Sequence, residues 1–226
     1  MKIIEEALKQ GRTILSEYES KQVLTDYQIP ITHELLVNNM EDFMLATAKI
    51  GYPLVIKGCA PDIAHKTEQK LIRVDIRNDQ EAKIAFSEIV SRMDGKADKN
   101  SVLVQEFVEG SRELVAGLKR DPQFGVCVLF GLGGILTEIL EDVAIRKAPL
   151  EKQDALEMMR EIKGHKILEP IRGMEAPDLN LLADILINVG RVGLENHEIK
   201  EIDINPIIIT QRKFIAVDAL VILHEA

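Results

Sequence analysis

Two oxygen-bearing side chains near the end of the chain, Asn205 and Asp218, could together hold a divalent cation. In the segment EIDINP a strand would point Asp203 and Asn205 to the same face, because side chains alternate along a strand. A polar turn and a second apolar strand follow, which predicts a β-hairpin in which Thr210 faces Lys213. The same register sets Asp218 opposite Asn205, with Cβ atoms about 5 Å apart. Oxygen ligands of this kind suit Mg²⁺, while an ordinary edge hairpin with one polar face explains the same pattern.

Lys57 is a candidate phosphate ligand. It ends a short apolar strand over 53–57, so its ammonium could reach a cleft and act as a point charge on a phosphate. A strand-end lysine that extends its charged head to water is the alternative.

His65 is a candidate nucleophile. It lies in the segment GCAPDIAHKTEQK between two predicted strands, with Lys57, Lys66 and Lys70 nearby. A neutral imidazole can attack phosphorus, and the lysines would offset the negative charge of a phosphohistidine. A solvated loop histidine is the alternative.

A strand that runs into a turn could hold a nucleoside. Its backbone groups could pair with an adenine edge, and its apolar side chains could pack against the ring. The four residues concerned are Gln105, Glu106, Phe107 and Val108. Glu113, just beyond, could accept hydrogen bonds from ribose hydroxyls. A plain strand followed by a turn explains these residues equally well, and the glycine run 131–134 fits a tight connection because it does not open a helix.

The composition excludes several classes of protein. The chain has 226 residues, of which 46% are hydrophobic and 29% charged, as is ordinary for a globular protein. Its formal net charge of −9 argues against a nucleic-acid partner. Its two cysteines form no CxxC pair, which favours a reducing compartment. No apolar run is long enough to cross a membrane. We therefore expect a cytoplasmic protein that binds neither nucleic acid nor membrane.

The elements that would position these residues mix helices and strands without a regular βαβ order, which predicts an α+β fold. We expect helices over 17–28, 41–50, 151–163 and 178–194, and a further helix capped by Asn78. We expect strands over 53–57, 71–76, 101–108, 113–119, 124–130 and about 136–147, and a single return strand of the hairpin over 214–223. The polar hinge FVEGSR at 107–112 is the expected boundary between two lobes.

Six segments, in this order, resemble the β subunit of ADP-forming acetyl-CoA synthetase, a group related to succinyl-CoA synthetase β chains. They are LSEYESKQVLTDYQIP at 15–30, GYPLVIK at 51–57, PDIAHKTE at 61–68, LVQEFVEGSRELVAGLKRDPQFG at 103–125, FGLGGILTEILEDVAIRKAPL at 130–150 and EIDINP at 201–206. The resemblance implies an ATP-grasp fold, in which two α+β lobes close on a nucleotide. The lobes expected are 1–108, a small lobe with the His65 loop, and 109–226, a large lobe with the magnesium hairpin.

The resemblance also implies a reaction and a role for each candidate residue. Acyl-CoA, phosphate and ADP give acid, CoA and ATP through an acyl phosphate and a phosphohistidine. The implied cofactors are Mg²⁺ and ATP or ADP. The implied roles are phosphate binding for Lys57 and Arg146, adenine binding for Gln105, Glu106, Phe107 and Val108, ribose binding for Glu113, magnesium binding for Asp203, Asn205 and Asp218, and phosphate relay for His65.

The departures from the pattern concern the neighbouring domains. The segment PDIAHKTEQ replaces the glycine-rich loop of succinyl-CoA synthetase β chains, and no CoA-ligase-like domain follows the hairpin. The resemblance therefore implies an α subunit that carries the CoA site and a first phosphohistidine, in an α2β2 hetero-oligomer. The alternatives are a non-catalytic ATP-grasp module that senses nucleotides, and an ATP-grasp carboxylate–amine ligase, which would not need His65.

Overall fold

The chain forms helices and antiparallel sheets, which confirms the predicted α+β class. The computed structural model describes residues 1–60, 70–93, 101–134, 142–171, 173–211 and 213–225. The helices are α1 Lys2–Lys9, α2 Glu17–Asp26, α3 Met40–Ile50, α4 Asp79–Met93, α5 Lys152–Glu161 and α6 Leu179–Glu195, with a 3₁₀ turn at His165–Leu168. The strands are β1 Glu34–Val37, β2 Leu54–Gly58, β3 Ile72–Ile76, β4 Val102–Glu106, β5 Arg112–Asp121, β6 Gly125–Leu132, β7 Val143–Lys147, β8 Ile199–Thr210, β9 Lys213–Ala216 and β10 Leu220–Leu223. Among the described residues, no helix has both the length and the apolar character needed to cross a membrane.

The chain divides into two structural units. The large unit comprises Met1–Leu15, Glu19–Ile31 and Val108–Ala226, and the small unit comprises Ser16–Tyr18 and Thr32–Phe107. This division differs from the predicted lobes 1–108 and 109–226 in the N-terminal segment. The physical reason is burial, because apolar side chains of that segment join the core of the large unit. They are Ile4, Ala7, Leu15, Val23, Leu24 and Ile29.

The small unit is a four-stranded sheet with two helices on one face. The strand order is β1-β4-β2-β3, and every pair is antiparallel. Leu54 and Ile56 of β2 pack with α3 and α4 in an apolar core, where the rings of Phe43 and Phe86 lie 4.5 Å apart. Because side chains alternate along a strand, Lys57 belongs to the opposite face of the sheet.

The large unit is built on a six-stranded antiparallel sheet. The order is β10-β8-β5-β6-β7, and β9 also pairs with β8. Helices α5 and α6 cover one face, where the apolar residues of both layers form the core. Arg120 fixes the end of α6, since its guanidinium donates hydrogen bonds to the carbonyl oxygens of Gly193 at 2.7 Å, Asn196 at 3.3 Å and Ile199 at 3.2 Å.

The hairpin has the predicted register but not the predicted single return strand. Thr210 pairs with Lys213 where β8 meets β9, and Asp203 pairs with Leu220 where β8 meets β10. The two pairings keep one register on both sides of a break between β9 and β10. Val217 still donates its amide to the carbonyl of Pro206 at 2.9 Å, but Pro206 has no N–H to donate in return, and the strand pairing is interrupted there.

Strand β8 also bulges at Pro206. Its partners on β5 step from Leu114, opposite Ile207, to Ala116, opposite Ile204, so β8 carries an extra residue at this point. A proline has no N–H to donate, and a central strand can accommodate a proline at a bulge. The bulge directly follows Asn205, and it therefore sets the direction in which that side chain leaves the strand.

Candidate functional site

Asp203 and Asp218 form a pair of interacting carboxylates in the large unit. Asp203 lies on β8, and Asp218 lies in the break between β9 and β10. The pKa of Asp203 is raised to about 6, first by burial among protein atoms and then by the negative charges of Asp218 and Glu201. By surface area the residue is nevertheless exposed to solvent, so protein atoms crowd its carboxylate without enclosing it. A cation placed at these carboxylates would relieve their repulsion.

The available ligands suit a cation shared between protein and nucleotide. Asp203, Asn205 and Asp218 can each offer a hard oxygen ligand. In the parts of the chain that the structure describes, no three histidine, cysteine, aspartate or glutamate side chains gather into a metal cluster. A complete protein cage for a metal is therefore missing there. Mg²⁺ typically needs only one or two carboxylates, with phosphate oxygens and water for the rest, so these residues fit it.

The glycine run contacts two of the predicted site residues. The amide of Gly134 donates to Oδ1 of Asn205 at 3.3 Å, and the amide of Gly133 donates to the carbonyl oxygen of Glu113 at 2.8 Å. Gly134 has φ +64°, and a Cβ at this position would collide with the carboxylate of Glu113. Glu113, Gly134 and Asn205 are therefore neighbours. Sequence reasoning treated the glycines as a simple connection and missed this role, for which the only signal was a run of glycines between two strands.

Lys57 is buried in the small unit and ion-paired with Glu17. Its Nζ lies 2.7 Å from Oε1 of Glu17, and the two side chains keep only 2% and 1% of their surface exposed. Lys57 therefore does not extend freely to water, which was the alternative reading of the sequence. Glu17 was not predicted, although it lies in the segment LSEYESK that contributed to the resemblance.

Some hydrogen-bonding groups at the end of β4 are already bonded within the protein. The amide of Glu106 donates to the carbonyl of His33 at 2.9 Å, and its carboxylate accepts from the amide of His33 at 2.8 Å. The amide of Phe107 donates to the carbonyl of Pro53 at 3.1 Å. Gln105 is fully buried, and Val108 begins the last segment of the large unit. These two amides are therefore occupied, and an adenine edge would have to form hydrogen bonds with other backbone groups of 105–108.

Arg146 lies away from the carboxylate pair. On β7 it pairs with Val128, which belongs to the face of the sheet that the helices cover, and its guanidinium donates to Glu161 of α5 at 2.6 Å. Asp203 pairs with Gly117 on β5, and Gly117 pairs with Leu129 on β6. Leu129 is the neighbour of Val128 along β6, so Asp203 lies on the other face of the sheet. The structure therefore does not bring Arg146 to Asp203, and the predicted phosphate contact of Arg146 gains no support from this geometry.

His65 and Lys66 lie outside the described residues, in the stretch 61–69. The role predicted for His65 therefore stays a prediction. The described flanks are β2, which carries Lys57, and β3, which begins at Ile72 and pairs with it.

A family profile described as an ATP-grasp domain matches residues 6–223. The chain is 44% identical over 224 residues to the protein named acetate–CoA ligase [ADP-forming] I subunit beta from Pyrococcus furiosus, and the match covers 98% of this chain and 96% of that one. The chain belongs to the ATP-grasp family, among the ADP-forming acetate–CoA ligases. This result confirms the resemblance and the ATP-grasp fold expected from it.

Other ATP-grasp relatives differ in length and in bound ligands. Acetate–CoA ligase [ADP-forming] I from Archaeoglobus fulgidus is 37% identical, and the match covers 99% of this chain but only 33% of the relative. An acetyl-coenzyme A synthetase 1 of Ca. Korarchaeum cryptofilum, solved with coenzyme A, Ca-AMPCP and HgCl⁺, superposes with a TM-score of 0.94 at 39% identity over 99% of each chain. A second structure of it, with coenzyme A and Mg-AMPPCP and its phosphohistidine segment pointing towards the nucleotide binding site, gives a TM-score of 0.87 at the same identity and coverage.

Proposed function

We propose that this chain is the nucleotide-binding β subunit of an ADP-forming acetate–CoA ligase. The observation that carries the proposal is the match, along nearly the full length of both chains, to a β subunit of that name. The reaction converts acetyl-CoA, phosphate and ADP into acetate, CoA and ATP. The part of this chain in that reaction is to bind the nucleotide and to exchange a phosphoryl group with it.

The large unit carries the residues proposed for the metal and for the sugar. Asn205 and Asp218 hold Mg²⁺, with Asp203 as the third oxygen donor, and the ion supplies charge neutralisation for the nucleotide phosphates when it is bound. Glu113 accepts hydrogen bonds from the ribose. The contact between Gly134 and Asn205 supports this assignment, because it links the proposed metal ligand to the residue proposed for the sugar.

The small unit carries the residues proposed for the phosphates and for the adenine. Lys57 contributes an ammonium to the phosphates, and phosphoryl transfer needs little from a protein beyond such charge neutralisation and in-line positioning. Backbone groups of 105–108 meet the adenine edge. Arg146 has no part in this site as we propose it, because its guanidinium is paired with Glu161 on the helix-covered face of the sheet.

His65 carries the phosphoryl group between the α subunit and ADP. A ring nitrogen of His65 attacks phosphorus and forms a P–N bond while the donor's bond to phosphorus breaks; an oxygen of the β-phosphate of ADP then attacks the same phosphorus and releases the neutral imidazole. The related Korarchaeum structure, whose phosphohistidine segment points towards its nucleotide site, supports this role. Each transfer is short, so the two active centres need not touch.

The CoA chemistry belongs to an α subunit on another polypeptide. The Archaeoglobus relative is about three times as long as the matched region, whereas the Pyrococcus β subunit is not. The functions of the remaining two thirds are therefore expected on a partner that carries the CoA site and the first phosphohistidine, in an α2β2 assembly. We place this assembly in the cytoplasm.

The test is a reconstitution. The chain alone should bind Mg·ADP in a calorimetric titration but should form no acetyl-CoA from acetate, CoA and ATP, and addition of an α subunit should start turnover. Steady acetyl-CoA formation by the chain alone would refute the division of labour. Failure to bind Mg·ADP or Mg·ATP would refute the nucleotide-binding role.

A further inference from the structure

Glu17 is a buried acid that the proposed function does not use, although it touches a residue that the function does use. Its Oε1 lies 2.7 Å from Nζ of Lys57, at the first position of α2. We propose that Glu17 is a positioning residue for the reaction, which holds the ammonium of Lys57 charged and directed at the phosphates of the bound nucleotide. The proposal rests on the proposed function, in which Lys57 contacts those phosphates.

The residues directly opposite Lys57 in its own sheet carry apolar side chains. The residues that pair with it on the two neighbouring strands are Leu103 of β4 and Ile72 of β3. Both side chains are apolar and cannot accept a hydrogen bond. An ammonium that is removed from water tends to lose its proton unless a negative charge lies next to it. Glu17 supplies such a charge within hydrogen-bonding distance, and so it favours the charged form that a phosphate contact requires.

The same contact also restricts where the ammonium can point. A lysine side chain has four flexible carbon–carbon bonds and three N–H donors. When one donor is directed at Glu17, the head group is held on one side, and other donors can be directed at phosphate oxygens. The carboxylate is itself carried by a helix rather than by a loop, which makes its position well defined. The ordering of Lys57 is therefore complete before the nucleotide binds, and it does not reduce the affinity.

A merely structural ion pair would behave differently from a positioning residue. If Glu17 only stabilised the small unit, its loss would lower thermal stability and would weaken the binding of all nucleosides and nucleotides alike. If it acts through Lys57, its loss should affect only ligands that carry the phosphates that Lys57 touches. It should also have no further effect once Lys57 is gone, because two residues that act as one unit are not additive.

The first experiment is a calorimetric titration of the full chain with adenosine, AMP, ADP and ATP in the presence of Mg²⁺. Glu17→Gln should weaken ADP and ATP binding about tenfold, as is common when the partner that orients a ligand-binding side chain is removed, and should leave adenosine binding unchanged. Glu88→Gln is the matched control, because Glu88 pairs with Arg73 in the same unit but with both side chains partly exposed. It should leave all four affinities unchanged. Unchanged or tighter ADP binding by Glu17→Gln would overturn the proposal.

The second experiment separates this proposal from the proposed function. Lys57→Met should weaken ADP binding, and Glu17→Gln added to Lys57→Met should cause no further loss. If Lys57→Met binds ADP like the wild type, the phosphate contact itself is wrong. If Lys57→Met weakens ADP binding but the two effects add, Lys57 keeps its role and Glu17 loses the one proposed here.

A conservative variant decides the matter if Glu17→Gln does not fold. Glu17→Asp keeps the negative charge but shortens the side chain by one methylene, so it should fold and should hold the ammonium in a displaced position. We expect weaker ADP binding with unchanged adenosine binding. ADP binding equal to that of the wild type would overturn the positioning role.

Discussion

Replacing Asp203 by asparagine should stabilise the metal-free chain and at the same time weaken its binding of Mg·ADP. The pKa of Asp203 is about 6 in the folded chain, against an ordinary value of 3.8. A folded-state pKa above the unfolded value means that the folded chain binds this proton more tightly than the unfolded chain does. Stability from this group is therefore present below about pH 4 and is lost as the pH rises through 6. At pH 7 the ionised carboxylate destabilises the folded chain, and asparagine removes that cost.

The size of the effect follows from the difference between the two pKa values. That difference would correspond to roughly 3 kcal/mol if the carboxylate were fully buried. Because Asp203 still contacts solvent, screening reduces this figure, and we expect about 1 kcal/mol at pH 7. For a chain of this length, 1 kcal/mol raises Tm by roughly 2–4 °C. Binding of Mg·ADP should move in the opposite direction, because one oxygen ligand loses its charge.

The assay is thermal unfolding of both chains in the presence of a chelator, at intervals from pH 4 to pH 8. Asp121→Asn is the control of opposite sign. The pKa of Asp121 is lowered, chiefly by hydrogen bonds from the amides of Phe124 and Gln123, so its replacement should slightly destabilise the chain at pH 7. An increase in Tm for Asp203→Asn that is equal at pH 4 and pH 7 would show that charge repulsion is not its cause. No increase at pH 7 would refute the reasoning altogether.

Three further substitutions test the site. Asp218→Asn should weaken Mg·ATP binding about tenfold or more in a calorimetric titration without lowering the Tm of the metal-free chain; unchanged binding would remove this residue from the metal site. His65→Ala should leave ADP binding intact but abolish an acid-labile, base-stable phosphoryl label on the chain and turnover with the α subunit; near wild-type turnover would rule out the relay. Gly134→Ala should weaken nucleotide binding, since the added methyl group meets the carboxylate of Glu113, whereas Gly125→Ala, at φ +78° with no atom within 4 Å of the new methyl group, shares only the backbone strain. Equal nucleotide affinities of these two variants would show that the contact with Glu113 has no effect on binding.

Local patterns were sufficient to predict the hairpin. Side-chain alternation and a short polar turn fix a register without reference to the rest of the fold, and Thr210 does face Lys213. The break between β9 and β10 could not be predicted in the same way. It falls opposite Asn205 and Pro206, where β8 bulges in its pairing with β5, and sequence reasoning does not anticipate a pairing between strands so distant in the chain.

Among the site residues, too, local patterns could be predicted from the sequence and distant partners could not. Lys57 could be predicted from its place at the end of a buried strand, but its partner Glu17 precedes it by 40 positions and belongs to a helix. For Arg146 the phosphate contact stays a prediction that the structure does not support. Its segment resembled a phosphate-binding one, yet the face of an edge strand is set by its pairing with the next strand, and this pairing turns Arg146 towards the helices.

The position of β8 has a consequence for the motions of the chain. Its 12 residues, Ile199–Thr210, are hydrogen-bonded to β5 along one edge and to β9 and β10 along the other. Backbone amides in such a doubly paired strand exchange with solvent only through large-scale opening of the structure. Asp203, which pairs with Gly117 on β5 and with Leu220 on β10, therefore belongs to one of the slowest-exchanging parts of the large unit, whereas Asn205 lies at the bulge outside both pairings. Asp203 should keep its position through many cycles of nucleotide binding and release, and amide protection of β8 outside the bulge should hardly change when a nucleotide enters.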